Sequence, residues 1–404
     1  MEHPMNRPFI RRVVIKNYKS IALCDVKLDR LMFLVGANGA GKSNFLDAFR
    51  FVGDALRNSL DYALRQRGTI KEVRRRSGGH PNNFSLRFEF GLPSGQHGYY
   101  DFRIAAKPQG AYEVQNEECR IHSDSELKTD NFFLVQSGTV VDASFPVRPA
   151  TLPDRLYLVA VSGLPEFRPI FDALARMEVY NLDPRVIAAM QLPDPGDVLR
   201  RDGSNAASVL QRLSPAIRSD IRDNLQLIVP GISDAEAKLL GSRETIEFRQ
   251  AVEGQDHPWR FLAGSMSDGT LRAFAVLLAV FQTSPGQGRP VPPLIGLEEP
   301  EMALHPAAAR VLLSALRQAS RSCQILVTSH SPDLLDNDDI PPESLLAVDN
   351  RNGVTRINPI GTAETKILRD KMFTPGELLR LNQLTSDIYD GKPQPQPDML
   401  TTEL

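Results

Sequence analysis

The stretch LMFLVGANGAGKSNFLDAF, residues 31–49, sets an apolar run before a glycine-rich octet, Gly36 to Ser43, and follows it with residues at helical spacing. That order, strand then turn then helix, gives the octet its meaning. Glycines remove the Cβ atoms that would keep backbone N–H groups from curling around a phosphate, and the helix N-terminus beyond them adds partial positive charge. In the spacing GxxxxGK[ST], Lys42 reaches the outer phosphates and the Ser43 hydroxyl ligates Mg²⁺. Gly36, Ala37, Asn38, Gly39, Ala40, Gly41, Lys42, Ser43 and Asn44 are therefore the candidate binders of ATP, with Lys42 also a catalytic candidate. A chance glycine turn would explain the flexibility, but neither the spacing nor the Lys-Ser ending.

A second stretch, PLIGLEEPEMALHP at 293–306, ends an apolar strand on two adjacent carboxylates. Like charges side by side need a cation or a proton, and Mg²⁺ brought by the phosphate loop supplies the cation. The strand 294–297 is expected to lie beside the phosphate-loop strand and to deliver both groups to one site. Glu298 serves the metal together with Ser43, through water because Mg²⁺ dehydrates reluctantly. Glu299 orients and deprotonates the attacking water. A glutamate-rich surface turn accounts for the charges but not for the apolar strand before them.

Two further segments extend the pattern. In LAGSMSDGTLRAFAVLLAVF, residues 262–281, the turn Ser267, Asp268, Gly269 opens an apolar helix, a second phosphate-competent N-terminus. One ATP needs one cradle, so this turn makes sense over a nucleotide held by another subunit; taken alone it is a commonplace N-cap. In CQILVTSHSPDLL, His330 follows an apolar strand, 324–328. The distance from the carboxylate strand allows one crossover helix, which puts His330 at the carboxyl edge of a parallel sheet, where ligands bind.

In this order GANGAGKS, SDGT, LIGLEEPE and TSHSP resemble an ABC-type ATPase head of the SMC, RecF and OLD-nuclease branch, in particular its stand-alone bacterial members without a long coiled coil or Toprim domain. The resemblance implies an α/β P-loop fold with a mixed central sheet, an antiparallel β lobe and a helical lid insertion. It implies a head-to-tail homodimer around two ATP molecules, open to further oligomerisation, in which Ser267 to Gly269 act in trans. Pro300 to His305 match the D-loop, and His330 becomes a catalytic switch histidine near the γ-phosphate. It also implies ATP hydrolysis in DNA-linked processes, repair or anti-phage defence, controlling a separate effector protein. The signature reads SDGT rather than SGGQ, and the Q-loop glutamine has only loose candidates in Gln136 and Gln96.

The segments between the motifs divide the chain into 1–60 with the phosphate loop, 61–150 with a basic run and an antiparallel lobe, 151–232 as helical lid, 233–350 with the remaining motifs, and 351–404 as a partly mobile extension. Four short strands are expected in 61–150, and TIEFRQAVEG and PWRFLAG are expected to return to the main sheet. Sustained heptads are absent, which argues against coiled-coil arms. Too few residues follow His330 for an OLD-type catalytic domain, so nuclease activity would belong to a partner. The long separation of the motifs and the SDGT signature count against a transporter motor, and a GTPase is disfavoured because the sequence has no NKxD base-reading segment.

Net charge is -2 over 404 residues, so any attraction to nucleic acid is local. The local candidate is LRQRGTIKEVRRRSGGH, 64–80, where Arg74, Arg75 and Arg76 could meet DNA. The longest apolar run, Ala273 to Phe281, is far short of the roughly 20 residues of a membrane helix. Three scattered cysteines suit neither a disulfide framework nor a zinc site. A cytoplasmic protein without a membrane partner is expected.

Overall fold

A computed structural model of the chain describes residues 8–76, 81–123, 130–152, 154–284 and 291–387. The motifs above fall within them, whereas the end of the basic run and the C-terminal tail lie outside. Strands β1 (Ile10–Tyr18) and β2 (Ile21–Lys27) form a hairpin, β3 (Leu31–Val35) leads into the phosphate loop, and α1 (Lys42–Arg57) leaves it. Short helices α2 (Leu60–Arg65) and α3 (Ile70–Val73) precede a meander of β4 (Asn83–Gly91), β5 (His97–Ala106), β6 (Tyr112–His122), β7 (Asn131–Gln136) and β8 (Thr139–Ala143). Helices α4 (Tyr157–Val161) and α5 (Arg168–Ala175), strand β9 (Glu178–Tyr180), and helices α6 (Pro184–Ala188), α7 (Ala206–Arg212) and α8 (Pro215–Ile228) follow. Next come β10 (Ile232–Leu240), β11 (Arg243–Gln250), β12 (Trp259–Leu262), α9 (Asp268–Phe281), β13 (Leu294–Glu298), α10 (Pro306–Ala319) and β14 (Gln324–Ser329). The described chain closes with α11 (Pro332–Leu335), β15 (Leu345–Arg351), β16 (Val354–Pro359), α12 (Thr362–Arg369) and α13 (Pro375–Arg380).

Among the described residues the main sheet runs β8-β7-β6-β5-β4-β1-β2-β16-β15-β3-β14-β13-β9. Its β3, β14, β13 and β9 pairings are parallel, and the meander is antiparallel, the mixed α/β sheet expected. Strands β3, β13 and β14 are buried almost throughout because helices cover both faces, which is why they read as unbroken apolar runs. One core, with Phe45, Phe49 and Phe88, packs α1 and α5 on the meander side; the other holds α8, α9 and α10 on the opposite face.

Three expectations are corrected. The carboxylate strand β13 does not lie beside β3, because β14 is inserted between them. The crossover through α10 can land on either side of β13, and chain length says nothing about which. The lobe in 61–150 has five strands, since NFFLVQSGTVV folds back at Ser137 and Gly138, both at positive φ, into the β7–β8 hairpin. Strands β11 and β12 do not rejoin the main sheet; they pair with β10 in a separate three-stranded sheet. In addition, the mostly helical 151–232 contributes β9, which pairs in parallel with β13.

Helix α1 is buried nearly all round, so its acids must be paired. Asp47 is held by Arg67, Lys19 and the Tyr18 hydroxyl, and Asp54 by Arg67 at 3.1 Å and Arg201 at 2.5 Å. Arg201 and Arg57 also meet Glu178 on β9. Arg67 was a member of the basic run; its side chain is only 4% exposed. The run is thus partly an internal counter-ion.

Another buried acid ties α4 to the meander. Glu117 on β6 accepts hydrogen bonds from Tyr157 N at 2.5 Å, Leu158 N at 2.8 Å and Tyr100 Oη at 2.9 Å. Burial pushes its pKa from 4.5 to about 7, with the three donors pulling the other way. The folded chain therefore holds this proton more tightly than the unfolded one. Its stabilisation is fully present below pH 4.5 and is lost as pH rises through about 7. The thermal-stability advantage of wild type over Glu117→Gln should accordingly be larger at acidic than at mildly alkaline pH; an advantage that grows with pH would reverse the sign.

Candidate active site

The phosphate loop turns between β3 and α1 with Gly39 at φ 76° and Gly41 at φ 107°. Gly41 needs to be glycine on two counts: its backbone is left-handed, and a Cβ would collide with the Thr355 side chain. Thr355 Oγ1 donates to Ala40 O at 2.8 Å and lies 2.7 Å from Ser20 Oγ, bracing the loop from behind. Asn44, expected to bind nucleotide, spends its side-chain amide on Ser20 Oγ at 2.6 Å. Ala37, Asn38 and Gly39 form the exposed crest.

Lys42 is 5% exposed and donates to Gly36 O at 2.8 Å and Ala37 O at 3.1 Å. These are neutral carbonyls, and no ion pair among the described residues engages its ammonium group. Burial lowers its pKa, with Glu299 and Glu301 opposing the shift. A buried cation folded back on its own loop carbonyls suits an anion arriving at that loop.

Despite the intervening strand, β13 carries Glu298 to the loop: Ser43 Oγ donates to Glu298 Oε2 at 2.9 Å. Burial raises the Glu298 pKa, against the Ser43 hydrogen bond, with Asp47 and Glu299 adding to the rise. Glu299 sits at φ 44° in the left-handed region, where a side chain costs about 1–2 kcal/mol. Its N–H is anchored on Thr328 O at 3.1 Å and Thr328 Oγ1 at 3.2 Å. That turn aims its carboxylate at β14, where His330 Nδ1 lies 3.0 Å from Oε1, although the ring N–H is out of line for a hydrogen bond.

Glu301, not singled out from the sequence, is a third carboxylate here. It is 6% exposed, its Oε1 accepts from Ser329 Oγ at 2.6 Å, and its Oε2 is buried without a partner among the described residues. Burial raises its pKa against the Ser329 bond. Of the three carboxylates on this short turn, Glu298 and Glu301 are displaced upward by burial, but Glu299 turns to His330 and Glu301 to Ser329, and no cluster of three acidic, histidine or cysteine side chains arranged for a metal occurs among the described residues. The hydroxyl and carboxylate of Ser43 and Glu298, in contact beside the phosphate loop, are the pair that could share a metal ion.

The turn Ser267, Asp268, Gly269 is an N-cap in fact: Ser267 Oγ accepts from Thr270 N at 3.2 Å. It makes no hydrogen bond or ion pair with the phosphate loop among the described residues. Gly269 instead packs on the D-loop, where a Cβ would meet Ala303 O at 2.5 Å. Neither glutamine candidate reaches the site. Gln136 ends β7 near the far margin of the sheet, and Gln96 lies in the β4–β5 turn. The carboxyl end of β9 sets Asn181 at the same edge of the sheet, one residue beyond Tyr180, which is in register with Leu297 of β13. A three-residue strand between helices has no periodicity to reveal it.

The basic run is engaged in part, and the Arg74 and Arg75 Nε atoms are buried without a hydrogen bond among the described residues. Arg76 pairs with Glu72, Arg65 with Asp61, and Arg74 donates to Pro81 O at 2.6 Å. No helix among the described residues is long and apolar enough to cross a membrane.

Comparison with solved structures places the fold. An SMC head bound to the C-winged-helix domain of ScpA aligns with TM-score 0.56 and 17% identity, covering 88% of this chain and 99% of that one. The Pyrococcus furiosus SMC head with an extended coiled coil, bound to the C-terminal domain of ScpA, gives 0.56 and 13%, covering 90% and 99%. The Pyrococcus yayanosii SMC head with a coiled coil and joint gives 0.50 and 14%, covering 90% and 100%. A search of curated protein sequences finds no match. The family model described as "AAA domain, putative AbiEii toxin, Type IV TA system" matches residues 31–147 and 193–336. The chain belongs to this AAA-domain family, and its fold is that of an ABC-type ATPase head of the SMC kind.

Proposed function

We propose that the chain binds ATP on Gly36 to Ser43, hydrolyses it to ADP and phosphate, and closes head to tail on a second copy. The observation that carries this is Lys42, a buried cation whose partners among the described residues are carbonyls, set near the carboxylates that follow β13. Lys42 neutralises the outer phosphates, and Ser43 with Glu298 holds the metal. Mg²⁺, when bound, offsets charge on the phosphate oxygens. Glu299 takes the proton of the attacking water, with His330 alongside to steady it. Ser267, Asp268 and Gly269, which make no hydrogen bond or ion pair with their own phosphate loop among the described residues, cover the nucleotide of the second copy.

We extend this reading to DNA-linked processes, repair or anti-phage defence, with a separate effector under ATP control. Support comes from the fold shared with SMC heads, two of which are solved with a bound ScpA domain, and from the toxin–antitoxin wording of the family description. The test is sedimentation with ATP and Mg²⁺. Wild type should dimerise and Lys42→Ala should stay monomeric without bound ATP; monomers in both cases would defeat the dimer.

Glu298→Asp separates the two adjacent carboxylates. Aspartate retracts the oxygen by about one C–C bond, which a water-mediated metal contact tolerates. ATPase activity should therefore stay within about tenfold of wild type, read by phosphate release. A loss as deep as that of Glu299→Gln would mean that the two roles are wrongly assigned.

A further inference from the structure

At the edge of the sheet opposite the phosphate loop, where β13 and β14 begin, lies a cavity of about 710 Å³ bordered by Pro293 and Gln324. Its size is within the roughly 300–1,000 Å³ of small-molecule sites. One strand length, about 17–20 Å, separates it from Glu298. Its floor is preformed: the Gln324 side chain accepts from Ile10 N at 2.8 Å and donates to Ile10 O at 2.8 Å and Asp29 O at 2.9 Å.

The charge of its lining is unbalanced. Arg11, Arg30, Arg176 and Arg321 face it, with Asp172 as the acid among the described lining residues. Asp172 is already shared between Arg168 and Arg176. Arg11 and Arg321 have no carboxylate partner among the described residues, and Arg11 Nε is buried without a hydrogen bond. Burial lowers the pKa of Arg30. Guanidinium groups do not give up their protons in proteins, so clustered arginines are relieved by an anion rather than by titration.

The position of Arg11 is built in. Its guanidinium lies over Gly91, where a Cβ would collide with it, so that glycine supplies space rather than an unusual backbone angle. Phe9, Leu92, Pro93 and Pro169 give the cavity apolar walls. We propose that this cavity binds a phosphate-bearing small molecule of mononucleotide size, its phosphate on Arg11, Arg30 and Arg321 and its apolar body against the Phe9 and proline walls. Phosphate matches the excess charge and the guanidinium forks better than a single carboxylate, and the apolar walls exclude a bare inorganic ion as the best ligand.

The site can be tested apart from the phosphate loop in the full chain carrying Lys42→Ala, by calorimetric titration with AMP, UMP, pyrophosphate, citrate and an oligoglutamate peptide. AMP or UMP should bind more tightly than pyrophosphate or citrate. Arg321→Gln should weaken that binding about tenfold, and Arg11→Gln at least as much. Arg321 is exposed, so its variant should melt like the parent and decides the matter even if Arg11→Gln does not fold. Absence of nucleotide binding below about 1 mM, affinity unchanged by Arg321→Gln, or citrate or oligoglutamate binding as tightly as the nucleotides would overturn the assignment.

Discussion

Glu299→Gln should reduce ATP turnover by about 10²–10⁴-fold while leaving ATP binding intact, and should accumulate an ATP-bound dimer. Glutamine keeps the length of the side chain and can keep its place beside His330, but it cannot accept the proton of the attacking water. The backbone argument sharpens the test. Glu299 stands at φ 44° with its N–H fixed on Thr328, and glutamine has the same Cβ and the same local cost, so folding stability should not change. Single-turnover phosphate release together with nucleotide retention checks both halves. Turnover within tenfold of wild type would remove Glu299 as the general base.

Arg67→Ala should destabilise the fold by about 3 kcal/mol, measured by urea unfolding. The arginine lies between Asp47 and Asp54 inside α1, and its removal leaves two buried carboxylates short of a counter-ion. Lys19 still reaches Asp47 and Arg201 still reaches Asp54, which keeps the effect at the lower end of the range for broken buried pairs. A surface contact to DNA would behave in the opposite way, with unfolding changed by less than about 0.5 kcal/mol. Because α1 starts at the phosphate loop, the same variant should bind ATP more weakly. A neutral unfolding curve would return Arg67 to the solvated surface.

The sequence by itself determined the candidate motifs. The phosphate loop, the Glu298–Glu299 pair and the strand-tip His330 are local patterns, each carried by a few consecutive residues whose conformation follows from glycine placement and apolar runs. Their convergence was legible too: Ser43 and Glu298 meet at 2.9 Å, and Glu299 and His330 at 3.0 Å. What only the tertiary structure decided is what depends on pairing at long range. The sequence does not say that β14 enters between β3 and β13, that β9 lies within a helical stretch and pairs with β13, or that Glu301 is buried against Ser329. Nor does it separate Arg67, consumed inside the protein, from Arg321, exposed at the rim of a cavity. A charged side chain reads the same in either place; burial and the partner across the fold set its energy, and both arise only when distant strands and helices pack.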